Sequence, residues 1–195
     1  MVIGIRHGEV HNPEHVVYAR LPGYRLSKRG RDEARRLGNL LAEADVREVW
    51  ASPLERAVET AEVLAAPHGL DVRTDERLLE WSFWSRWGGV PWPELRERAP
   101  EVFSAYADDP EALCPEDPLS TVGGRVLSWA DERSHVEGLV LGVSHEAPLA
   151  AASLVGSGQP IARFAAAHVP HLGGVRLAPR PAMAIELNGD VSGGE

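Results

Sequence analysis

Cysteine is almost absent from the sequence: Cys114 is the only one among 195 residues. A single cysteine excludes a disulfide framework within the chain and a zinc site built from cysteines. Long apolar runs are missing as well, and none approaches the roughly 20 residues that span a bilayer. The first residues, MVIGIRHG, lack the pattern of a secretory signal because their apolar stretch is short and meets charge at once. We therefore expect a cytoplasmic protein with no membrane partner.

Lysine is nearly missing too, since Lys28 stands beside nineteen arginines. The formal net charge of −9 disfavours a nucleic-acid partner, which usually requires a basic surface. Hydrophobic residues make up 44% and charged residues 25%, a composition typical of globular proteins. The chain is long enough for a buried core and shows neither repeats nor a linker. We expect a single domain over residues 1–195.

Short apolar segments alternate with amphipathic ones along the chain. Strands are predicted at 1–5, 46–52, 70–74, 138–145, 174–177 and 182–187. Helices are predicted at 29–45, 121–133 and 146–156, and another after Ser52 as N-cap, with Pro53 in the first turn and Gly69 past the end. This alternation predicts an α/β fold, a three-layer sandwich whose mostly parallel sheet carries helices on both faces.

Residues 81–120 break the alternation. Four tryptophans and many prolines and acidic residues occur there with weak periodicity, which predicts an irregular or partly helical cap insertion over one end of the sheet. The strand at 182–187 is expected at a sheet edge, where it could pair with a second copy in a homodimer. The tail at 191–195 is expected to fray.

The stretch RHGEVHNPEH near the N-terminus places His7, His11 and His15 four residues apart. On a helix this spacing would align three imidazoles on one face, as metal ligands often are. Gly8 and Pro13 make a helix here improbable, so the spacing loses its meaning. The alternative is that His7 does covalent chemistry, while the other two histidines lie in a loop at the mouth of a pocket.

Basic and imidazole side chains follow the predicted strands. Arg6 and His7 come after the first strand, Arg56 opens the helix after the second, and His145 ends the strand at 138–145. The carboxyl ends of such strands meet at one edge of the sheet, where ligands bind. Arginines match phosphate oxygens, one imidazole can attack phosphorus, and a second can stabilise the transferring group. Glu80 is the candidate proton donor for the leaving alcohol, because partial burial would raise its pKa.

The segments RHGEVHN, LSKRGRDEA, SPLERAVETA, LLE and VSHEAP follow one another in this order. Together they resemble the signature segments of the histidine phosphatase superfamily, also called the phosphoglycerate-mutase-like family. The resemblance implies a phosphoglycerate-mutase-like fold and a phosphohistidine mechanism without metal or cofactor. In that mechanism His7 is the nucleophile, and Arg6, Arg56 and His145 hold the phosphoryl group. Glu80 protonates the leaving oxygen and then helps to activate water.

Two departures from the family pattern concern the same pocket. The resemblance implies a phosphate hydrogen bond from Asn12, although many members carry this asparagine one position later, where Pro13 stands. Many members have Gly-Gly after Ser-His, whereas Glu146 and Ala147 follow His145 here. The substitution places a carboxylate near the pocket.

The resemblance implies a metal-independent phosphomonoesterase of the histidine acid phosphatase type. An acidic chain with a tryptophan-rich cap fits a small phosphorylated metabolite as substrate at least as well as a phosphoprotein. The alternatives are a phosphoglycerate-type mutase and a non-catalytic protein that binds a phosphorylated ligand on the same fold. A Glu80 that points into the pocket would favour an enzyme. The tryptophans at 81–92 are expected to pack within the cap, and His168 and His171 are expected to be structural or exposed.

Overall fold

The structure is a computed structural model that describes residues 1–187. Its strands are β1 (Val2–Arg6), β2 (Val46–Ala51), β3 (Val72–Thr74), β4 (Leu139–Ser144), β5 (Gly174–Ala178) and β6 (Met183–Ile185). Its α-helices are α1 (Lys28–Leu40), α2 (Glu55–Ala65), α3 (Trp92–Arg98), α4 (Pro100–Asp108), α5 (Leu119–Asp131) and α6 (Glu146–Gly156). The tail expected to fray, 191–195, lies outside the described residues. Among residues 1–187, no helix is both long and apolar enough to cross a membrane.

The strands form one sheet in the order β3-β2-β4-β1-β5-β6. The first four in this order run parallel to one another, whereas β5 is antiparallel to β1 and β6 is antiparallel to β5. The predicted α/β class with a mostly parallel sheet is therefore confirmed. Because β5 runs against β1, the loop that precedes β5 lies at the same sheet edge as the carboxyl end of β1.

Side chains alternate between the two faces of the sheet, as the period of a strand requires. One face presents Ile3, Ile5 and Leu141 to a core shared with α1 and α2. The other face presents Val2 and Val140 to a core shared with α5, α6 and part of the segment before α3. Burial on both faces explains why the central strands β1 and β4 are apolar runs rather than alternating ones.

The helix predicted at 29–45 begins with a Ser27 cap and ends earlier than expected, at Leu40. The Ser27 hydroxyl accepts a hydrogen bond from Gly30 N at 2.9 Å. After the helix the chain turns, so that Leu41 and Val46 enter the same core cluster. Continuing the helix to residue 45 would remove that turn and misplace the start of β2.

Ser52 does not cap the following helix, which corrects the second predicted boundary. That helix begins at Glu55, and Ser52 instead prolongs β2 by donating its N–H to the Val143 carbonyl at 2.8 Å. Its side chain is fully buried and bonds to His145. The predicted position of Gly69 is confirmed, since it ends a short 3-10 turn after α2 with a φ of 63°.

The segment 81–120 is partly helical, because it contains α3 and α4 as well as two short 3-10 turns. Each of these α-helices carries a proline in its first turn, where the missing N–H costs nothing. Trp81 is fully buried and stacks on Phe83 at 4.7 Å between ring centroids, as expected of packing within a cap. The helix predicted at 121–133 begins two residues earlier, at Leu119.

The strand predicted at 182–187 is the shorter β6, which forms one end of the sheet order. It pairs with β5, and Met183 on it is 46% exposed. The edge position agrees with the sequence, whereas pairing with a second copy stays a prediction.

Gly142, in the centre of β4, allows Trp129 of α5 to pack directly against the sheet. A Cβ added there would lie 2.3 Å from Cη2 of this fully buried tryptophan. Gly142→Ala should therefore lower the free energy of unfolding by about 1–3 kcal/mol, measured by urea denaturation. Gly124→Ala is the control: it meets open space within α5 and should raise stability by about 0.5–1 kcal/mol. Equal stabilities for the two variants would contradict this packing.

Candidate active site

The predicted site residues come from three neighbouring strands that end at one sheet edge. Arg6 is the last residue of β1 with His7 directly after it, His145 follows β4, and Arg56 lies in the first turn of α2 behind β2. Together with Glu80, Arg6 and His7 line a cavity of about 210 Å³ at this edge. The structure thus brings five of the six predicted residues together.

The His7 imidazole is held in one tautomer by partners of opposite kind. Its Nδ1 lies 2.8 Å from the Gly8 carbonyl, which can only accept a hydrogen bond. Its Nε2 lies 3.2 Å from Arg56 Nε, which can only donate one. The proton is therefore on Nδ1, and the lone pair is on Nε2. Burial and the Arg56 guanidinium hold the pKa of His7 well below its usual value, so the ring is neutral.

The loop that carries His7 is fixed by the helix after β2. Thr60 of α2 accepts a hydrogen bond from Gly8 N at 3.1 Å and donates its own proton to the Arg56 carbonyl at 2.7 Å. Both Thr60 and Arg56 are buried. The segment SPLERAVETA thus supplies a basic side chain to the site and also holds the backbone beside the nucleophile candidate.

His145 is completely buried, and its ring lies 5.1 Å from that of His7. Its Nε2 is 2.8 Å from Ser52 Oγ, and that hydroxyl accepts a hydrogen bond from Leu54 N. We assign the remaining hydroxyl proton of Ser52 to the contact with Nε2, which places the imidazole proton on Nδ1. Burial holds the pKa of His145 well below its usual value, and the positive charge of Arg56 lowers it further. Its Nδ1 has no hydrogen-bond partner among the described residues, so a donor is available toward the site.

Glu80 places a carboxyl group beside this donor. Its Oε2 lies 4.0 Å from His145 Nδ1 and its Oε1 accepts from Trp81 N at 2.8 Å. Because His145 is neutral, the 4.0 Å contact is not an ion pair. Burial raises the pKa of Glu80, although Arg56 acts in the opposite direction. A carboxyl that is only 15% exposed and has a raised pKa suits a proton donor.

The backbone of Glu80 is held from two sides. Arg20 donates from Nε to the Glu80 carbonyl at 2.8 Å, and Arg125 donates to the Leu79 carbonyl at 2.6 Å. Ser144, at the end of β4, donates to the Leu78 carbonyl at 2.7 Å. Arg77 and Arg86 are the arginines nearest to Glu80 on either side in the sequence. Those two arginines pair with other acids: Asp75, Glu132 and Glu116.

Glu146 forms an ion pair with Arg6 at 2.7 Å and lines the cavity, as its position after His145 indicated. The other carboxylate oxygen contacts Nδ1 of His168, an exposed histidine. Arg6 also donates to the Val169 carbonyl at 2.7 Å, which anchors the loop before β5. His168 is exposed, as the sequence indicated, and it also touches the site.

His171 is the residue that sequence reasoning missed. Its ring lies 5.7 Å from that of His7, on the loop before β5. The residue is exposed, as expected, but the expectation did not include this neighbour. Only the antiparallel direction of β5 brings the loop to this edge, and the sequence pattern does not give strand direction.

Asn12 is the predicted residue that the structure does not bring to the cluster. Its amide nitrogen donates to the Val16 carbonyl at 2.9 Å, and its amide oxygen accepts from Val16 N at 3.1 Å. Both polar atoms of the side chain are occupied within its own loop. His11 and His15 are exposed on the same loop, whereas His7 is buried, so the three histidines do not share a face. Among residues 1–187, no group of three or more potential ligands could hold a metal ion.

Aromatic side chains form the other wall of the cavity. Trp84, Trp92, Tyr106 and Tyr18 all line it. Trp84 lies between Trp92 and Tyr106, with ring centroids 5.0 and 5.6 Å apart. Tyr18 is covered by the Arg56 guanidinium at 4.9 Å and by Tyr24 at 5.3 Å. Two of the tryptophans that were expected to pack within the cap, Trp84 and Trp92, therefore also face the cavity.

The family model described as histidine phosphatase superfamily (branch 1) matches residues 2–181 of the chain. The chain belongs to this superfamily. The resemblance that the sequence segments indicated is therefore confirmed.

Relatives and solved structures agree with this membership in the superfamily. An uncharacterized protein of Mycobacterium tuberculosis is 51% identical over 76 residues, 39% of this chain and 38% of that protein. Phosphoserine phosphatase 1 of Hydrogenobacter thermophilus is 28% identical over 71% of this chain and 67% of its own length. A mycobacterial glucosyl-3-phosphoglycerate phosphatase shares the fold with a TM-score of 0.77, at 24% identity over 89% and 90% of the two chains. The α-ribazole phosphatase of Shigella flexneri shares the fold with a TM-score of 0.77, at 25% identity over 100% of this chain and 98% of that chain.

The tautomer of His145 tests the role assigned to Ser52. In the wild type, ¹⁵N chemical shifts should place the imidazole proton on Nδ1. Ser52→Ala removes the donor to Nε2 and should return the ring to a mixture of tautomers, with a loss of about 1–3 kcal/mol of stability for the buried group left unpaired. Ser134→Ala, which removes an exposed hydroxyl, is the control. An unchanged proton position in Ser52→Ala would contradict the assignment.

Proposed function

We propose that this protein is a phosphomonoester hydrolase that acts through a phosphohistidine on His7. The single observation that carries the proposal is the fixed, neutral imidazole of His7. Its Nε2 lone pair faces Arg56, and its ring centroid lies 5.1 Å from that of His145. A neutral lone pair surrounded by phosphate-binding donors suits attack on phosphorus. The relatives named as phosphatases support the same chemistry.

In the first step, Nε2 of His7 attacks phosphorus, and the bond between phosphorus and the ester oxygen breaks. The protonated Glu80 gives its proton to the departing oxygen, which leaves as an alcohol. In the second step, water attacks the phosphohistidine while the Glu80 carboxylate takes a proton from it. The phosphorus–nitrogen bond breaks and inorganic phosphate leaves. His7 is neutral again and Glu80 is protonated again, so the cycle balances.

The transferring group carries its negative charge on three oxygens, and the site supplies donors for them. Arg56 is buried and already within hydrogen-bond distance of Nε2 of His7, where the phosphoryl group would form. Nε of Arg6 and Nδ1 of His145 have no partners among the described residues. Arg6 Nε and His145 Nδ1 can bind these oxygens without losing another hydrogen bond, whereas Arg56 shifts its Nε–H from Nε2 to an oxygen as the new bond forms.

A hydrolase fits the cavity better than a phosphoglycerate-type mutase does. Phosphoglycerates carry a carboxylate in addition to the phosphate, and Glu146 would repel a second anionic group within the cavity. The volume of about 210 Å³ suits a small phosphorylated metabolite. A non-catalytic ligand binder would not need the partly buried carboxyl of Glu80 at this position.

Hydrolysis of p-nitrophenyl phosphate by the wild type and by His7→Ala, each with and without EDTA, tests the proposal. We expect turnover in the wild type that EDTA does not change. His7→Ala should lose essentially all of it, because no other described side chain offers a lone pair at this position. Loss of wild-type activity in EDTA, or full activity in His7→Ala, would contradict a metal-free phosphohistidine mechanism.

Glu80→Gln separates the proton donor from the nucleophile. For an alkyl phosphate, phosphoenzyme formation should slow by about 10²–10⁴-fold, because the alkoxide must leave without a proton. With p-nitrophenyl phosphate, a rapid burst of nitrophenolate should persist, since this leaving group needs no proton. In the wild type, formation from the alkyl ester should fall as pH rises through the raised pKa of Glu80, and the variant should lose this dependence. Rapid-quench kinetics measure both.

The control for this variant is Glu76→Gln, which removes an exposed carboxylate from the preceding 3-10 turn. It should behave as the wild type with both substrates. Equal slowing of the two substrates in Glu80→Gln would assign the residue to binding rather than to proton transfer.

A further inference from the structure

Glu146 introduces a negative charge into a cavity built to receive a phosphate. It is the first residue of α6, it lines the cavity, and its side chain is 38% exposed. Its ion pair with Arg6 occupies NH1 of that arginine at 2.7 Å. The carboxylate therefore borders both the phosphate position and the space that the rest of a substrate would fill.

Phosphate binding brings a second negative charge close to Glu146. A phosphate dianion on Arg6 shares the guanidinium with the carboxylate, so the two anions are brought close together. Glu80 is a further acid in the same cavity, although its raised pKa keeps it protonated to higher pH than an ordinary glutamate. With a substrate that has no charge besides its phosphate, only the groups already in contact with Glu146, Arg6 and His168, offset this repulsion. A substrate that carries a positive charge next to Glu146 relieves it.

The opposite wall favours the same kind of group. Trp84, Trp92 and Tyr106 line the cavity together with Glu146. The faces of aromatic rings attract cations, and tryptophan does so most strongly. The Tyr106 hydroxyl is close enough to Glu146 that the carboxylate adds to the effect of burial in raising the pKa of the tyrosine. Carboxylate and rings therefore border a common space.

We infer that the organic part of the substrate carries an ammonium group, which binds between Glu146 and the aromatic wall of Trp84, Trp92 and Tyr106. The substrate class is thus a small phosphorylated amino alcohol, with the phosphate on Arg6 and Arg56. This inference rests on the proposed function for the position of the phosphate. Sugars and polyols offer only neutral hydroxyl groups to Glu146, and acids would be repelled by it.

Matched esters of equal size test the inference. In 2-aminoethyl, 2-hydroxyethyl and propyl phosphate, only the terminal group differs, and 3-aminopropyl and butyl phosphate repeat the comparison with a longer chain. For the wild type, kcat/KM from phosphate release should favour the amine over the alkyl ester by at least about tenfold in one pair. Glu146→Gln should reduce that ratio by about tenfold, because the amide keeps the shape but not the charge. Glu62→Gln, an exposed site on α2, should keep the wild-type ratio.

Binding of the same esters to His7→Ala, measured by titration calorimetry, tests the inference independently of turnover. We expect the amino ester to bind at least about tenfold more tightly than its alkyl counterpart, and His7→Ala combined with Glu146→Gln to lose this difference. If the proposed function is wrong, p-nitrophenyl phosphate should not be hydrolysed, whereas the binding preference for the amino ester should remain. A preference for the hydroxyl or alkyl ester, or an amine preference that persists in Glu146→Gln, would overturn the inference.

Discussion

The site depends on one constraint: the His7 imidazole is buried between an obligate acceptor and an obligate donor. The Gly8 carbonyl accepts a hydrogen bond from Nδ1–H, and Arg56 donates its Nε–H to Nε2. These two contacts fix which nitrogen carries the lone pair, and burial next to a guanidinium keeps the ring uncharged. Everything else at the site either holds these partners in place or serves the group that would form on Nε2.

The fold provides this constraint by bringing distant segments to one sheet edge. Parallel pairing of β1 with β4 sets His7 beside His145, and pairing of β4 with β2 sets α2 behind both. Ser52 and Thr60 then link the segments, the first to His145 and the second to Gly8. Residues that look like helix-capping or helix-face positions in the sequence are therefore the supports of the two imidazoles.

The parts of the site that sequence alone predicted are those that follow strands. His7, Arg56 and His145 come directly after apolar runs or open the next helix. The carboxyl ends of parallel strands meet at one sheet edge, so this pattern places the three residues together. Glu80 follows no strong strand, and its position depends on backbone contacts from Arg20 and Arg125 that no local pattern encodes.

Two features could not be predicted from the sequence, for physical reasons. His171 reaches the site because β5 is antiparallel to β1, and an isolated apolar run carries no information on strand direction. Asn12 is absent from the site because its amide satisfies the turn to Val16, a competition that short polar side chains often win in loops. By contrast, Glu146 was foreseeable at the pocket, since it directly follows His145, but its pairing with Arg6 was not.

The most direct test of the account is the position of the phosphate on the enzyme during turnover of p-nitrophenyl phosphate. After a rapid quench at alkaline pH, peptide mapping with ³¹P and ¹⁵N NMR should find the phosphate on Nε2 of His7. A phosphate on Nδ1, on another residue, or on none during active turnover would contradict the account.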